Sequence, residues 1–122
     1  MGNLLHSERL NGVNDTLVTI VKKAVESLPF DVTVAEGLRT KETQAQYVAQ
    51  GKSQTMNSKH LTGEAVDLYP IVGGAIDNSK FTDLAAAIKK QAAAQFTAIE
   101  WGGDWKTFID KPHFQINGSK KN

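Results

Sequence analysis

Leu10, Val13, Leu17, Ile20, Val21, Ala24 and Leu28 recur at spacings of three and four. That is the stripe of an amphipathic helix packed on a core, and Pro29 just beyond it marks a stop. The period then changes. "DVTVAEG" alternates with β-branched residues and predicts a strand. Thr40 can cap a second helix, "KETQAQYVAQ", which Gly51 can end. "GKSQTMNSK" is polar and reads as a loop. "EAVDLYP" predicts a short strand ended by Pro70, and "IVGGAID" a hairpin turn around its two glycines. From about Ser79, Phe81, Leu84, Ala85, Ile88 and Ala92 mark a third helix. "FTAIEWGG" and "HFQI" supply two further strands. This order predicts an α+β fold, with helices packed on a small, largely antiparallel sheet.

The chain has 122 residues, 40% of them hydrophobic, which fits one domain with a real core. Its net charge of +1, with acids and bases mixed along the chain, argues against nucleic acid as a partner. The basic ending "GSKKN" is too short to change that and reads as a solvated tail. The N-terminus "MGNLLHSERLNGV" lacks the basic and apolar regions of a signal peptide, and no apolar stretch reaches membrane-span length. His6 stands where a myristoylation start needs Ser or Thr. A soluble product made in the cytoplasm is expected.

There are no cysteines, so any metal must be held by histidine and carboxylate. Only His6, His60 and His113 are available. His60 alone reads more readily as a polar loop residue than as a ligand. Asp67 changes that weighting, because it lies between apolar neighbours in "AVDLY". A carboxylate buried there must be paired, hydrogen-bonded or bound to a metal, a salt bridge being the plain alternative. His113 opens "HFQI" after Pro112. Two neutral imidazoles and one carboxylate suit zinc with its fourth position open. They would leave about one net positive charge on the site, enough to acidify water.

Hydrolysis also needs a proton acceptor. Asp110, three residues before His113 in "IDKPHF", is the first candidate, with a surface turn residue as the alternative. Glu100 in "AIEWGG" is the second, with an outer hydrogen-bonding partner or a strand-end charge as its alternative. Arg39 in "AEGLRT" lies between a strand and a helix. It could bind a substrate carboxylate or an oxyanion, or form an ordinary surface ion pair. Trp101 and Trp105 bracket "WGGDW" and are either core or cleft wall.

Together these pieces resemble a known family. "SKHLTGEAVDLYP" matches the pattern Ser-x-His-x-x-Gly-x-Ala-x-Asp at Ser58, His60, Gly63, Ala65 and Asp67. "EGLRT" resembles the family's arginine segment, and "DKPHF" its Asp/Glu-x-x-His element. The family is that of zinc D,D-carboxypeptidases and L-alanyl-D-glutamate peptidases, which includes the vancomycin-resistance dipeptidases and many phage endolysins. The resemblance runs from about Val32 to Ile116. It implies a hedgehog/D,D-peptidase-like α+β fold, with zinc held by His60, Asp67 and His113. It further implies Asp110 as general base and Arg39 as the residue that holds or polarises the substrate. Asp at the base position, the short signal-free chain and "WGGDW" look more like the endolysin branch. Gln115 departs from the pattern, since many relatives carry an acid there. Gly63 and Ala65 read as small residues that let the loop approach the strand and the metal.

The expectation is therefore a single catalytic domain over residues 1–122, a monomer with no separate wall-binding domain. It would cut the L-alanyl-D-glutamate bond of peptidoglycan stem peptides as a phage lysis enzyme. It would be made in the host cytoplasm and reach the wall after another protein permeabilises the membrane, without stable membrane association. Two alternatives stand beside it: D-Ala-D-Ala cleavage by the same mechanism, and a non-catalytic, zinc-containing cell-wall binding module.

Overall fold

Alternation along the strands decides where everything else sits. The computed structural model describes residues 2–52 and 58–117. Within these, β1 (Leu4–Leu5) precedes α1 (Asp15–Glu26), β2 (Asp31–Glu36) and α2 (Lys41–Ala49). Then come β3 (Ala65–Val72), β4 (Ala75–Ile76), α3 (Phe81–Ala94), β5 (Ile99–Trp101) and β6 (His113–Ile116). The strands form one sheet in the order β1-β2-β3-β6-β5, with β4 paired to β3. Among the described residues only the β1–β2 pair is parallel. The expected α+β architecture with a largely antiparallel sheet is what the chain adopts.

One face of the sheet carries Val32, Val34, Val66, Leu68, Phe114 and Ile116, all buried. Against it pack Leu17, Ile20, Val21 and Ala24 of α1, and Leu84, Ala85 and Ile88 of α3. Because successive side chains point to opposite faces, the intervening Asp67, Tyr69, His113 and Gln115 belong to the other face. Of these, Tyr69 also meets Phe81 at the start of α3. The core and the candidate chemistry thus share β3 and β6 and are separated by parity.

Several boundaries differ from the sequence pattern. The first helix begins at Asp15, not near Leu10. Leu10 ends a short 3-10 turn and Val13 lies in the connection, although both are buried. Gly12, at φ +84°, breaks the path, and the Asn14 side chain then accepts from the Thr16 and Leu17 amides to start the helix. β3 does not stop at Pro70 but runs on to Val72. Pro70 stands opposite Val32, whose amide donates to Asn3 on the other side, so no ladder bond needs a Pro70 N–H. The short β1 gave no periodic signal. The Gly73–Gly74 hairpin, with both φ angles positive, and the Thr40 cap fall where the pattern placed them. Positions 53–57 of the expected polar loop and the basic ending at 118–122 lie outside the described residues.

α2 has a different role from the other helices. Its buried residue is Gln44, so it brings no apolar stripe to the core. Gly63 also acts otherwise than expected. At φ +76° it ends the 3-10 turn Lys59–Thr62, and a Cβ there would lie 2.4 Å from the Gly12 carbonyl oxygen. The glycine admits the 12–13 connection rather than a metal. Gly63→Ala is expected to cost at least about 1 kcal/mol, from the left-handed backbone alone. It would appear as a lower urea midpoint with an unchanged slope.

Candidate active site

Each candidate side chain is placed by a separate piece of backbone. Asp67 lies opposite His113 in the β3–β6 ladder and opposite Glu36 in the β2–β3 ladder, where a register shift between Val34 and Glu36 bends the strand. His60 comes from the Lys59–Thr62 turn, whose start is held by the Ser58 hydroxyl accepting from the His60 amide. The Arg39 amide donates to the His60 carbonyl, tying "EGLRT" to "SKHLTG". His113 follows a turn closed by its own amide donating to the Asp110 carbonyl.

The three residues converge. His60 Nε2 is 3.2 Å and His113 Nδ1 is 3.3 Å from Asp67 Oδ1. One ligand atom from each lies within 4.8 Å of the others. The outer ring nitrogens are occupied. His60 Nδ1 is 2.7 Å from the Gly37 carbonyl, which can only accept, so Nδ1 carries the hydrogen and Nε2 the lone pair. His113 Nε2 is 2.7 Å from Gln115 Oε1. Lone pairs on Nε2 and Nδ1 therefore face a carboxylate oxygen. Such an array repels itself unless a cation lies among the three, and this donor chemistry fits a metal ion. His6 is exposed, pairs loosely with Glu8 and is not part of the group.

Without a cation, the same arrangement favours a proton on His113. Burial opposes a charged His113, but its hydrogen bonds to Asp67 and Gln115 and the Asp67 charge leave its pKa raised. Burial likewise opposes a charged Asp67. The hydrogen bond from protonated His113, with the contact to His60 3.2 Å away, nevertheless holds its carboxyl far below the usual range.

A cleft of about 1150 Å³ surrounds these residues and is also lined by Arg39, Asp110, Tyr69 and Trp105. Asp110 is placed by its amide donating to the Gly102 carbonyl. A Cβ at Gly102 would lie 2.2 Å from the Asp110 carbonyl oxygen, so only glycine permits the approach. Burial, and then the Asp67 charge, push the Asp110 carboxyl up, while His113, His60 and Arg39 pull against them. Glu100 does not line the cleft. Its carboxylate accepts from Gln115 Nε2 at 3.2 Å and from the Trp105 indole. Of the two tryptophans, Trp105 walls the cleft beside His113, whereas Trp101 stacks on the core residue Phe114.

Arg39 is not an ordinary surface pair. Its side chain is only 8% exposed. It grips Glu36 through Nε and Nη2, and donates to Gln44 Oε1 through Nη1 at 2.6 Å. Its guanidinium packs 4.7 Å from the centre of the Tyr47 ring and reaches to 4.0 Å from Asp67 Oδ2. Glu36, Gln44 and Tyr47 were not singled out from sequence. The one visible sign was Glu36 three residues before Arg39 in "EGLRT".

Residues 4–117 match the family of phage L-alanyl-D-glutamate peptidases. The chain belongs to that family. The L-alanyl-D-glutamate peptidase of Escherichia phage T5 is 36% identical over 112 residues, covering 84% of this chain and 80% of that protein. The L-alanyl-D-glutamate peptidase of Listeria phage A118 is 42% identical over 92 residues, 75% of this chain. The match spans 32% of that relative's own length. The crystal structure of Serratia marcescens L-Ala D-Glu endopeptidase ChiX superposes with a TM-score of 0.88 at 36% identity. It covers 95% of this chain and 90% of the other. Membership of the peptidase family and its mixed α+β fold agree with the resemblance read from the motifs.

Proposed function

We propose that this chain is a zinc-dependent endopeptidase that hydrolyses the L-alanyl-D-glutamate bond of peptidoglycan stem peptides, as a phage endolysin. The observation that carries the proposal is the convergence of His60, Asp67 and His113 in a cleft that also holds Asp110 and Arg39. Family membership supports the bond assignment.

Two imidazole nitrogens and one carboxylate oxygen form a ligand set that leaves zinc an open position. Zinc bound there would supply a Lewis acid and make water far more acidic. Asp110 takes the proton from the attacking water and returns it to the leaving amine. Burial serves this role, because a raised carboxyl pKa lies nearer the working pH. Arg39, its fork fixed by Glu36, Gln44 and Tyr47, presents a rigid positive group to a substrate carboxylate or to charge developing on the carbonyl. Asp67 is held by Arg39 on one side and by the histidines on the other.

The described residues share one hydrophobic core, which supports a single catalytic domain; action as a monomer is part of the proposal. Among them no helix is long and apolar enough to cross a membrane. Synthesis in the host cytoplasm, with access to the wall after membrane permeabilisation, completes the proposal. The test is a metal assay paired with mass spectrometry of digested peptidoglycan. New L-alanine carboxyl ends and D-glutamate amino ends are expected. Release of free D-alanine would transfer the assignment to D-Ala-D-Ala cleavage, and no cleavage with zinc bound would favour a binding module.

Zinc and protons compete for His113. Its raised pKa means that the proton-bound form stabilises the metal-free protein below the ordinary imidazole pKa. That contribution is lost as pH rises through the raised value. Asp67, whose pKa is lowered, contributes above the ordinary carboxylate pKa, and that contribution is lost as pH falls through its depressed value. Adding zinc is therefore expected to raise Tm more at about pH 8 than at about pH 6, because less proton must be displaced. Thermal melts with and without zinc at both pH values check the sign.

A further inference from the structure

We propose that Glu100 is a positioning residue. Through Gln115 it fixes His113 in the tautomer that presents Nδ1 to the metal, and through Trp105 it holds the adjoining cleft wall. The inference rests on the metal-binding reading of His113. It begins from an ambiguity in Gln115. An amide has an accepting and a donating end, and either could face His113 Nε2. With its oxygen inward, Gln115 requires hydrogen on Nε2 and leaves a lone pair on Nδ1. With its nitrogen inward, it requires the reverse, and Nδ1–H then points at Asp67.

Glu100 removes the choice. It stands opposite Gln115 in the β5–β6 ladder, and its carboxylate can only accept. Gln115 Nε2 therefore faces Glu100 Oε1, and Gln115 Oε1 faces His113 Nε2. Trp105 Nε1 donates to the other Glu100 oxygen, which keeps the carboxylate from turning away. The same indole packs with its ring centre 5.3 Å from that of His113. Behind the histidine the chain thus places an amide, and a carboxylate one step farther away. Glu100 itself does not line the cleft, so it acts on the ligand and not on the substrate.

This arrangement makes a prediction that a merely structural carboxylate would not. In Glu100→Gln the new amide must offer its oxygen to Trp105. Its nitrogen then faces Gln115, which must reverse and present nitrogen to His113. Either His113 adopts the wrong tautomer or a hydrogen bond is lost. The exchange Glu100→Gln/Gln115→Glu restores every bond. Trp105 donates to the amide at position 100, that amide donates to the carboxylate at position 115, and the carboxylate accepts from His113 Nε2.

The experiment is zinc binding by competition with a chelating dye for wild type, Glu100→Gln and the exchanged pair. Glu100→Gln is expected to bind zinc about tenfold to a hundredfold more weakly, and the exchange to recover most of the loss. In ¹⁵N NMR of the metal-free wild type at alkaline pH, His113 is expected to show hydrogen on Nε2. Unchanged zinc affinity in Glu100→Gln would overturn the proposal. So would failure of the folded exchange variant to bind more tightly than the single variant, or hydrogen on Nδ1 in the wild type. If Glu100→Gln does not fold, the wild-type spectrum still decides. If wild type binds no zinc, the metal reading fails instead, and the spectrum tests the hydrogen-bond chain separately.

Discussion

His113→Ala is expected to weaken zinc binding by at least about a hundredfold and to abolish peptidase activity. Loss of an outer hydrogen-bond partner alone typically costs about ten- to a hundredfold in metal affinity, so loss of a ligand must cost no less. The substitution removes one of the two nitrogens that face Asp67 Oδ1 and leaves His60 and the carboxylate as an incomplete set. It also removes the ring that packs between His60 and Trp105. Some loss of stability is therefore expected, and metal content must be measured on protein shown to be folded by circular dichroism. Zinc retained at one equivalent after desalting would remove His113 from the ligand set.

Asp110→Asn is expected to lower kcat by about 10²–10⁴-fold while leaving zinc content unchanged. Asparagine keeps the shape of the side chain, and the backbone contact with Gly102 is untouched. What disappears is the capacity to accept a proton. The same substitution should not reduce Tm. Burial and the Asp67 charge both disfavour the ionised Asp110 carboxyl, so neutralising it relieves a native-state cost. Loss of activity with equal or greater stability is the signature of a group kept for chemistry. Full activity in Asp110→Asn would end its assignment as the base.

The sequence was informative where chemistry is local and periodic. Alternation in "AVDLYP" and "HFQI" sorts Val66, Leu68, Phe114 and Ile116 from Asp67 and His113, and the structure keeps that division. The candidate ligands were visible because "SKHLTGEAVDLYP" and "DKPHF" together resemble the motifs of a known family, the His60–Asp67 spacing alone being a weak signal. The beginning of α1 was not, because Leu10 and Val13 are buried from a 3-10 turn and a connection that continue the helical face. Pro70 misled because the direction of a missing N–H is known only once the neighbouring strand is placed. The setting of Arg39 was hidden for a similar reason. Its partners come from a bent strand and from a helix without an apolar stripe, and no periodicity announces them. The place of Glu100 depends on the β5–β6 pairing, which no single segment contains.

The parity of β3 and β6 has a consequence for how the chain must fold. In a sheet, a slip of one residue turns every side chain of a strand over. Sliding β6 by one position would drive His113 and Gln115 into the apolar layer and turn Phe114 and Ile116 out into the cleft. A misaligned chain would then bury two polar groups without partners while exposing two large apolar ones. The side chains gathered for peptide hydrolysis thus also act as proofreaders of assembly, making the misaligned pairing too costly to persist.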